Sequence, residues 1–247
     1  MSQLVLKNVT QKFETEQGNI TAIKDIDLEI QSGELLALIG PSGCGKSTLL
    51  RIIAGLMTPT SGEVLLDNKK VVGTSPTISF IFQNFGLFPW LNVYDNVAFP
   101  LQMLGLPKKE IKSRTETIIK EVGLLGFENF HPKELSGGMK QRVGIARALN
   151  EDSKIILADE PFSSLDAFTA KTLRDELLRI WKRYKKTIVM VTHLVDEALY
   201  MADRIVVMTP GPGKVEKIIT NRLSRPRNLR EEKFYKLSDE LTEMVQP

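Results

Sequence analysis

Short apolar runs and segments of helical periodicity alternate along most of the chain. Residues 35–39 form a continuous apolar run, which is typical of a strand buried on both faces of a sheet. Apolar residues at helical spacing follow at Leu49, Ile52, Ile53 and Leu56. Later, the runs at 155–157, 187–192 and 204–208 alternate with the helical segments 168–183 and 196–202. This alternation predicts a mainly parallel sheet with helices packed on it.

Two parts of the chain depart from that pattern. Before the first buried run, residues 4–6 and the alternating residues 26–30 predict strands, and after it strands are predicted at residues 64–66, 71–72 and 78–82. From about residue 84 the chain becomes helical, charged and punctuated by prolines, which predicts an inserted helical subdomain over about residues 84–150. We therefore expect one domain over residues 1–220, which contains this insert, and a short helical tail over residues 221–247.

Composition narrows the possible classes of protein. The 247 residues are 42% apolar and 26% charged, as in an ordinary globular protein, and the net charge of +3 is too small to indicate nucleic-acid binding. Cys44 is the single cysteine, so no internal disulfide can form. The first ten residues lack a signal-peptide pattern, and no apolar run approaches the roughly 18 residues of a transmembrane helix. Any role at a membrane is therefore expected to depend on a partner.

Residues 40–48, here called the phosphate loop, match the pattern G-x-x-x-x-G-K-[ST] between a predicted strand and a predicted helix. Glycines let backbone N–H groups converge on phosphate oxygens, and the helix N-terminus adds a partial positive charge. Lys46 is expected to reach the β- and γ-phosphates, and the Ser47 hydroxyl is expected to coordinate Mg²⁺. The expected nucleotide-binding residues are Gly40, Pro41, Ser42, Gly43, Cys44, Gly45, Lys46, Ser47 and Thr48.

An acidic pair, Asp159 and Glu160, ends the apolar run at residues 155–158. Ligands of open α/β sheets collect at the carboxyl ends of the strands. Asp159 is therefore expected to hold Mg²⁺, and Glu160 is expected to orient and deprotonate an attacking water. Combined with the phosphate loop, the pair favours an ATPase.

Residues 135–142, with the sequence LSGGMKQR and here called the signature segment, form a second glycine-rich stretch that opens a helix. A second segment of this kind indicates a second phosphate contact, yet one nucleotide carries only one triphosphate. The simplest solution is two copies of the chain, with ATP between the phosphate loop of one copy and the signature segment of the other.

Gln83, the Ser-Leu-Asp sequence at residues 164–166 and His193 complete a series of short motifs. In this order, the motifs resemble the ATP-binding cassette (ABC) ATPase family, over residues 4 to about 219. The resemblance implies an α/β fold, in which a P-loop NTPase (RecA-like) core carries an N-terminal antiparallel β-subdomain and an inserted α-helical subdomain. It also implies ATP and Mg²⁺ as cofactors.

The resemblance gives each remaining site residue an expected role. Gln83 would contact Mg²⁺ or the attacking water, and His193 would contact the γ-phosphate, so the expected catalytic set is Lys46, Gln83, Glu160 and His193. Asp166 would link the two sites of a dimer, and Phe13 would stack on adenine, although the residues alone indicate only an apolar strand position. The γ-phosphate held by the opposite subunit would be bound by Ser136, Gly137 and Gly138. The inward face of their helix would carry Met139, Val143 and Ala146.

Residues 87–93, 161–169 and 193–213 resemble the importer ATPases of the nitrate, sulfonate and taurine type. Three aromatic residues near the first stretch, Phe85, Phe88 and Trp90, lie in a turn-rich segment where large apolar groups need a cover. They form either a groove that receives a short helix of a membrane permease or the core of the helical subdomain itself.

We therefore expect the ATP-hydrolysing subunit of an ABC importer, bound peripherally to the cytoplasmic side of the cell membrane. The expected partners are a second copy of the chain, integral membrane permease subunits and an external solute-binding protein, and no nucleic acid is expected. Three alternatives stay open: a non-transport ABC ATPase of DNA repair, chromosome handling or translation, an exporter or lipoprotein-extraction ATPase, and a regulatory or purely binding module. The sequence does not indicate which solute is transported.

Overall fold

The structure is a computed structural model, and it describes residues 2–16 and 18–245. The strands in chain order are β1 (Ser2–Thr15), β2 (Gly18–Gln31), β3 (Leu35–Ile39), β4 (Ser61–Leu66), β5 (Lys69–Lys70), β6 (Ile78–Ile81), β7 (Ile155–Asp159), β8 (Thr187–Val191), β9 (Arg204–Met208) and β10 (Val215–Thr220). The helices are α1 (Lys46–Ile53), α2 (Val93–Met103), α3 (Lys108–Glu121), α4 (Gly137–Asn150), α5 (Ala167–Tyr184), α6 (Val195–Met201) and α7 (Glu232–Val245). A 3-10 turn at Pro132–Glu134 precedes α4.

The chain divides into two compact units. The first contains the residues up to 75 and those from 185 onward, and the second contains residues 76–184. The second unit includes α2, α3 and α4, which lie within the helical insert predicted from the sequence, and also β6, β7 and α5. Within the described residues, no helix has both the length and the apolar character that crossing a membrane requires.

An antiparallel sheet in the first unit has the strand order β2-β1-β4-β5. Alternation along β2 places Ile26, Leu28 and Ile30 in the interior, because successive side chains of a strand point to opposite faces. The antiparallel sheet expected near the N-terminus is therefore present.

One predicted strand is wrong. The sequence predicts strand structure at Val71 and Val72, whereas β5 ends at Lys70. The Val71 N–H still donates to the Val64 carbonyl at 2.8 Å, but Val72 is 83% exposed. Gly73 then adopts a φ of 70°, which turns the chain away from the sheet.

A second sheet in the first unit is built around β3. β8 and β9 flank β3 in parallel, and β10 pairs with β9 in the antiparallel direction. All residues of β3 and of β8 are buried, which explains their continuous apolar sequences. α1 packs on β8 and α6 packs on β3, as the strand-helix alternation predicts.

In the second unit, β6 and β7 form a parallel pair, and α2 packs against α3 and α4. The loop before α2 is organised by Asn96, a fully buried amide. Its side chain accepts a hydrogen bond from the Phe88 N–H at 2.9 Å and donates to the carbonyl groups of Phe88, Leu91 and Asn92. One buried amide thus fixes the conformation of the turn-rich segment that carries the aromatic residues.

Candidate active site

The phosphate loop begins directly after β3, at an edge where β8 also ends. Leu38 of β3 pairs with Val191 of β8, so the loop and the residues after Val191 leave the sheet side by side. α1 begins at Lys46, and its N-cap is Gly45, a residue of the loop with no side chain to cap the first N–H groups of the helix. The N-terminus of α1 therefore directs its backbone N–H groups and its partial positive charge toward the phosphate loop.

Gly45 is required by both conformation and space. Its φ of 94° belongs to the left-handed region that side chains of L-residues rarely adopt. A Cβ at this residue would lie 2.3 Å from Ile23 Cγ2 and 3.0 Å from the Ala22 carbonyl oxygen. The loop can approach β2 this closely only because residue 45 has no side chain.

Gly213 contacts the phosphate loop from the turn after β9. A Cβ on Gly213 would lie 1.9 Å from the Cys44 carbonyl oxygen. The Gly213 N–H donates to the Ala22 carbonyl, and its own carbonyl accepts from the Lys24 N–H, both at 2.9 Å. Gly213 is therefore fixed against the loop by backbone hydrogen bonds. Sequence reasoning missed this contact, because the Pro-Gly-Pro-Gly sequence at residues 210–213 indicates only a turn.

The Lys46 ammonium group is buried and held by the phosphate loop itself. Its Nζ donates to the carbonyl oxygens of Gly40 at 2.7 Å and Pro41 at 2.9 Å, and it lies 3.6 Å from the Cys44 Sγ. These contacts place a full positive charge inside the loop, where phosphate oxygens are expected to bind.

His193 and Phe13 lie in the first unit with the phosphate loop. His193 follows β8 by two residues and is exposed, and its turn is held by the Leu194 N–H, which donates to the Thr192 hydroxyl at 3.1 Å. Because β3 and β8 are neighbours, His193 leaves the sheet at the same edge as the phosphate loop. Phe13 is a half-buried residue of β1 and pairs with Ile20 of β2.

Gln83 and Glu160 are in direct contact in the second unit. Ile81 of β6 pairs with Ala158 of β7, so the two side chains follow neighbouring strands at the same edge. Gln83 Nε2 donates to Glu160 Oε2 at 3.0 Å and to the Ser163 hydroxyl oxygen at 3.5 Å. The structure thus brings together the expected general base and the amide expected to contact the water.

The backbone turns sharply between the two acidic residues. Asp159 is buried at the end of β7, whereas Glu160 is half-buried and has a φ of 44°. A left-handed conformation is uncommon for a residue other than glycine, and such strain concentrates at functional sites. The left-handed conformation of Glu160 therefore makes this strand end a candidate functional site.

The signature segment opens α4 with a serine cap. The Ser136 hydroxyl oxygen accepts a hydrogen bond from the Met139 N–H at 3.3 Å. Gly137 and Gly138 are the first two residues of the helix, and a Cβ on Gly138 would lie 2.6 Å from Thr169 Cγ2. Glycine at residue 138 therefore allows the start of α4 to pack against the start of α5.

Asp166 caps α5, a structural role that sequence reasoning missed. Its carboxylate accepts hydrogen bonds from the N–H groups of Phe168 at 3.1 Å and Thr169 at 3.0 Å. Hydrogen bonding by the side chain and backbone of Thr169 lowers the pKa of Asp166. The cap holds Asp166 in one orientation at the start of the helix.

The inward face of α4 differs from the predicted one. Val143 and Ala146 are fully buried, as expected, but Met139 is only half-buried. Gln141 is fully buried instead, and it was not predicted because a glutamine inside a charged stretch is normally exposed. Its spacing from Ile145, also buried, is the one sequence signal that places it on the inner face.

Each unit carries an oxygen donor of the kind that Mg²⁺ prefers. The first unit offers the Ser47 hydroxyl at the start of α1, and the second offers the Asp159 carboxylate. Mg²⁺ is usually bound through one or two protein oxygens together with substrate phosphates and water. Across residues 2–16 and 18–245, no group of three or more His, Cys, Asp or Glu side chains could hold a metal ion alone.

The chain is similar to ATP-binding proteins of ABC transporters along most of its length. The family profile described as ABC transporter matches residues 23–163. The chain is 50% identical over 226 residues to an uncharacterized ABC transporter ATP-binding protein of Methanocaldococcus jannaschii, which covers 92% of this chain and 85% of that protein. It is 44% identical to an aliphatic sulfonates import ATP-binding protein of Bacillus thuringiensis, over 94% of this chain and 91% of that protein. It is 46% identical to a taurine import ATP-binding protein of Yersinia pestis, over 84% of this chain and 81% of that protein.

A solved structure has the same fold. It is a dimeric ATP-binding cassette described as a post-hydrolysis state bound to ADP and Pi. The TM-score is 0.79 at 37% sequence identity, with 89% of this chain and 99% of that chain covered. The expected α/β P-loop NTPase fold is therefore confirmed.

Proposed function

Because the chain belongs to the ABC transporter family and binds ATP, we propose that it is the ATP-hydrolysing subunit of an importer for sulfonates or taurine. The observation that carries the enzymatic part is the contact between Gln83 and Glu160 at the end of two parallel strands. The import assignment is supported by similarity to two import ATP-binding proteins of these substrate classes. In this role the protein lies on the cytoplasmic side of the cell membrane and acts on a separate permease.

The phosphate loop binds the triphosphate of ATP in this proposal. Backbone N–H groups of residues 40–48 surround the phosphates, and Lys46 exchanges a loop carbonyl for a β- or γ-phosphate oxygen. Phe13 stacks on the adenine ring. Ser47, Asp159 and Gln83 are the residues that would hold Mg²⁺, and this ion offsets the negative charge of the triphosphate when it is bound.

Hydrolysis requires a water molecule in line with the γ-phosphate, and we assign its activation to Glu160. The carboxylate accepts a proton from the water. In the structure the Gln83 amide donates to this carboxylate at 3.0 Å, and we assign the amide to Mg²⁺ or the attacking water once nucleotide is bound. Lys46 and His193 contact the γ-phosphate, where negative charge has to be stabilised. The protein therefore contributes mainly positioning and charge stabilisation.

Two copies of the chain complete the two ATP sites. Ser136, Gly137 and Gly138 at the N-terminus of α4 contact the γ-phosphate held by the partner copy, and Asp166 links the two sites. The dimeric form of the similar solved cassette supports this assembly. A homodimer is the simplest arrangement, because one chain carries both the phosphate loop and the signature segment.

An apolar groove in the second unit is the proposed contact surface for a permease helix. Its cavity measures about 470 Å³ and is lined in part by Phe82, Phe88, Phe99 and Arg147. The Phe88 ring packs on Phe99, with centroids 4.6 Å apart, and on Trp90 at 5.6 Å. Phe88 therefore belongs to the packing of the unit itself, whereas Trp90 is 71% exposed at its margin.

Arg147 is the cation of this groove. Burial lowers the pKa of Arg147, the carboxylate of Glu151 opposes this shift, and the guanidinium lies 5.4 Å from the centroid of the Phe88 ring. Glu151 also lines the groove, so the groove itself supplies a carboxylate for the cation. We therefore assign the groove to an apolar permease helix that contacts the aromatic residues.

Replacing Trp90 with alanine is expected to weaken binding of the permease by about 30-fold, because a tryptophan that anchors an interface commonly contributes about 2 kcal/mol. Thermal unfolding and the ATPase rate of the isolated subunit should change little, since Trp90 is 71% exposed. Copurification with the permease measures the effect. Tyr235→Ala, at a tyrosine of α7 that is 56% exposed, is the matched control. Full assembly and full coupled ATPase activity of the Trp90 variant would remove the docking proposal.

The transport function is tested by a tagged pull-down from detergent-solubilised membranes of the native host, with Glu160→Gln and ATP to hold the closed dimer. Copurifying chains are identified by mass spectrometry. A multi-span permease at about one ATPase per permease subunit is expected, and its external binding protein should bind taurine or an alkanesulfonate in calorimetry. Recovery of only soluble or nucleic-acid-bound partners would contradict the importer assignment.

A further inference from the structure

Gln141 of α4 is fully buried, yet its amide has no hydrogen-bond partner among the residues that the structure describes. Both Oε1 and Nε2 are unpaired. Buried amides almost always pair, because an unpaired one loses the hydrogen bonds that it makes with water in the unfolded chain. An amide of this kind is expected where a second conformation of the protein supplies the partner.

Gln141 lies between two loops of the proposed catalytic machinery, the aspartate loop (residues 161–166) and the glutamine loop (residues 83–86). One turn earlier on the same helix face, a Cβ on Gly137 would lie 3.8 Å from the Leu165 side chain. One turn later, a Cβ on Gly144 would lie 3.3 Å from the Phe85 carbonyl oxygen. Because residues three and four apart share a helix face, the Gln141 side chain emerges between these two contacts.

The glutamine loop is the more strained of the two neighbours. Phe85 has a φ of 62°, which is uncommon for a residue with a side chain. The Phe85 carbonyl accepts a long hydrogen bond from Arg147, at 3.4 Å. At the start of the loop, Gln83 is tied to Glu160. A loop with these properties is poised to rearrange when Gln83 leaves Glu160 to contact bound nucleotide.

We propose that Gln141 is a positioning residue whose amide pairs with the backbone of the glutamine loop only when nucleotide is bound. This inference rests on the proposed function as an ATPase. The unpaired amide disfavours the nucleotide-free conformation, and its new hydrogen bonds hold the loop, and with it Gln83, in the nucleotide-bound one. Phe82, directly before the glutamine loop, and Gly86, at its end, also line the permease groove. When the Gln141 amide pairs with this loop, the shape of the groove therefore changes with the binding of nucleotide.

The test compares Gln141→Met with wild type by thermal unfolding, without nucleotide and with saturating Mg²⁺ and the non-hydrolysable analogue AMP-PNP. Methionine keeps the length and flexibility of glutamine but removes the amide. The melting temperature without nucleotide is expected to rise by about 2–4 °C, since the unpaired polar group is gone. The affinity for AMP-PNP is expected to fall about tenfold, because the variant cannot form the hydrogen bonds of the bound state.

Asn150→Leu is the matched control, since it removes a buried amide of the same helix whose nitrogen is already paired, although its Oδ1 has no partner among the described residues. Asn150 Nδ2 donates to the Val97 carbonyl at 2.9 Å and to the Thr115 hydroxyl oxygen at 3.1 Å. This variant should lower the melting temperature by the same amount with and without nucleotide.

Gln141→Leu replaces Gln141→Met in the same measurements if the methionine variant is insoluble.

Two results would overturn the inference. An equal shift of both melting temperatures in the Gln141 variants would show that the amide has the same surroundings in both states. A lower melting temperature without nucleotide would show that the amide is already paired there. If wild type itself gains no stability from AMP-PNP, the proposed ATPase function fails instead, and the inference fails with it.

Discussion

Replacing Glu160 with glutamine is expected to lower the ATP turnover number by about 10²–10⁴-fold, the usual contribution of a general base. Glutamine has nearly the same shape but cannot accept a proton from water. ATP binding should therefore persist, and the substituted protein should accumulate as an ATP-bound dimer. Phosphate release at saturating ATP measures the first effect, and light scattering with and without ATP measures the second.

Ser163→Ala is the control for this experiment, because Ser163 is the other partner of the Gln83 amide but has no proton-accepting role. It should retain most of the turnover number. A Glu160→Gln protein that hydrolyses ATP at the wild-type rate would exclude Glu160 as the base. The left-handed backbone at Glu160 would then need a purely structural explanation.

Replacing Gly213 with alanine is expected to impair ATP binding at least tenfold, although Gly213 was not a predicted site residue. The added methyl group would lie 1.9 Å from the Cys44 carbonyl oxygen, a backbone atom that cannot rotate away. The hydrogen bonds of Gly213 to Ala22 and Lys24 prevent the glycine from yielding, so the phosphate loop has to move. Overpacking of this kind commonly costs about 1–3 kcal/mol of stability.

The effect is measured by calorimetric titration with ATP and by thermal unfolding. A fall in melting temperature of about 2–12 °C is expected, given about 2–4 °C for each kcal/mol in a chain of this size. Gly211→Ala is the matched control in the same turn, since a Cβ there would meet no atom within 4 Å. Equal behaviour of the two variants would contradict the steric argument.

The phosphate loop, the acidic pair and the buried strands could be predicted because each depends on local sequence. A continuous apolar run such as β3 indicates a strand buried on both faces, and the glycine pattern after it indicates the loop. The strand predicted at Val71 and Val72 was wrong because two adjacent valines favour a strand locally, whereas the turn at Gly73 ends the pairing.

Contacts between distant segments could not be predicted. Gly213 and Cys44 are far apart in sequence, and no local pattern indicates that their backbones meet. The burial of Gln141 was missed because polarity was given more weight than helical spacing. From the sequence, the aromatic residues could form either a docking groove or the core of the helical subdomain. In the structure Phe88 packs with Phe99 inside the unit, whereas Trp90 is exposed.

Because Cys44 is buried, chemical labelling of its thiol can report how often the phosphate loop opens. Cys44 is the only thiol in the sequence, it belongs to the loop and is 1% exposed, and its Sγ lies 3.6 Å from the Lys46 Nζ. A maleimide can react with it only when the loop opens, so the labelling rate of the unaltered protein reports the frequency of opening. Slower labelling in the presence of a nucleotide would then measure how firmly that nucleotide closes the loop, without any engineered probe.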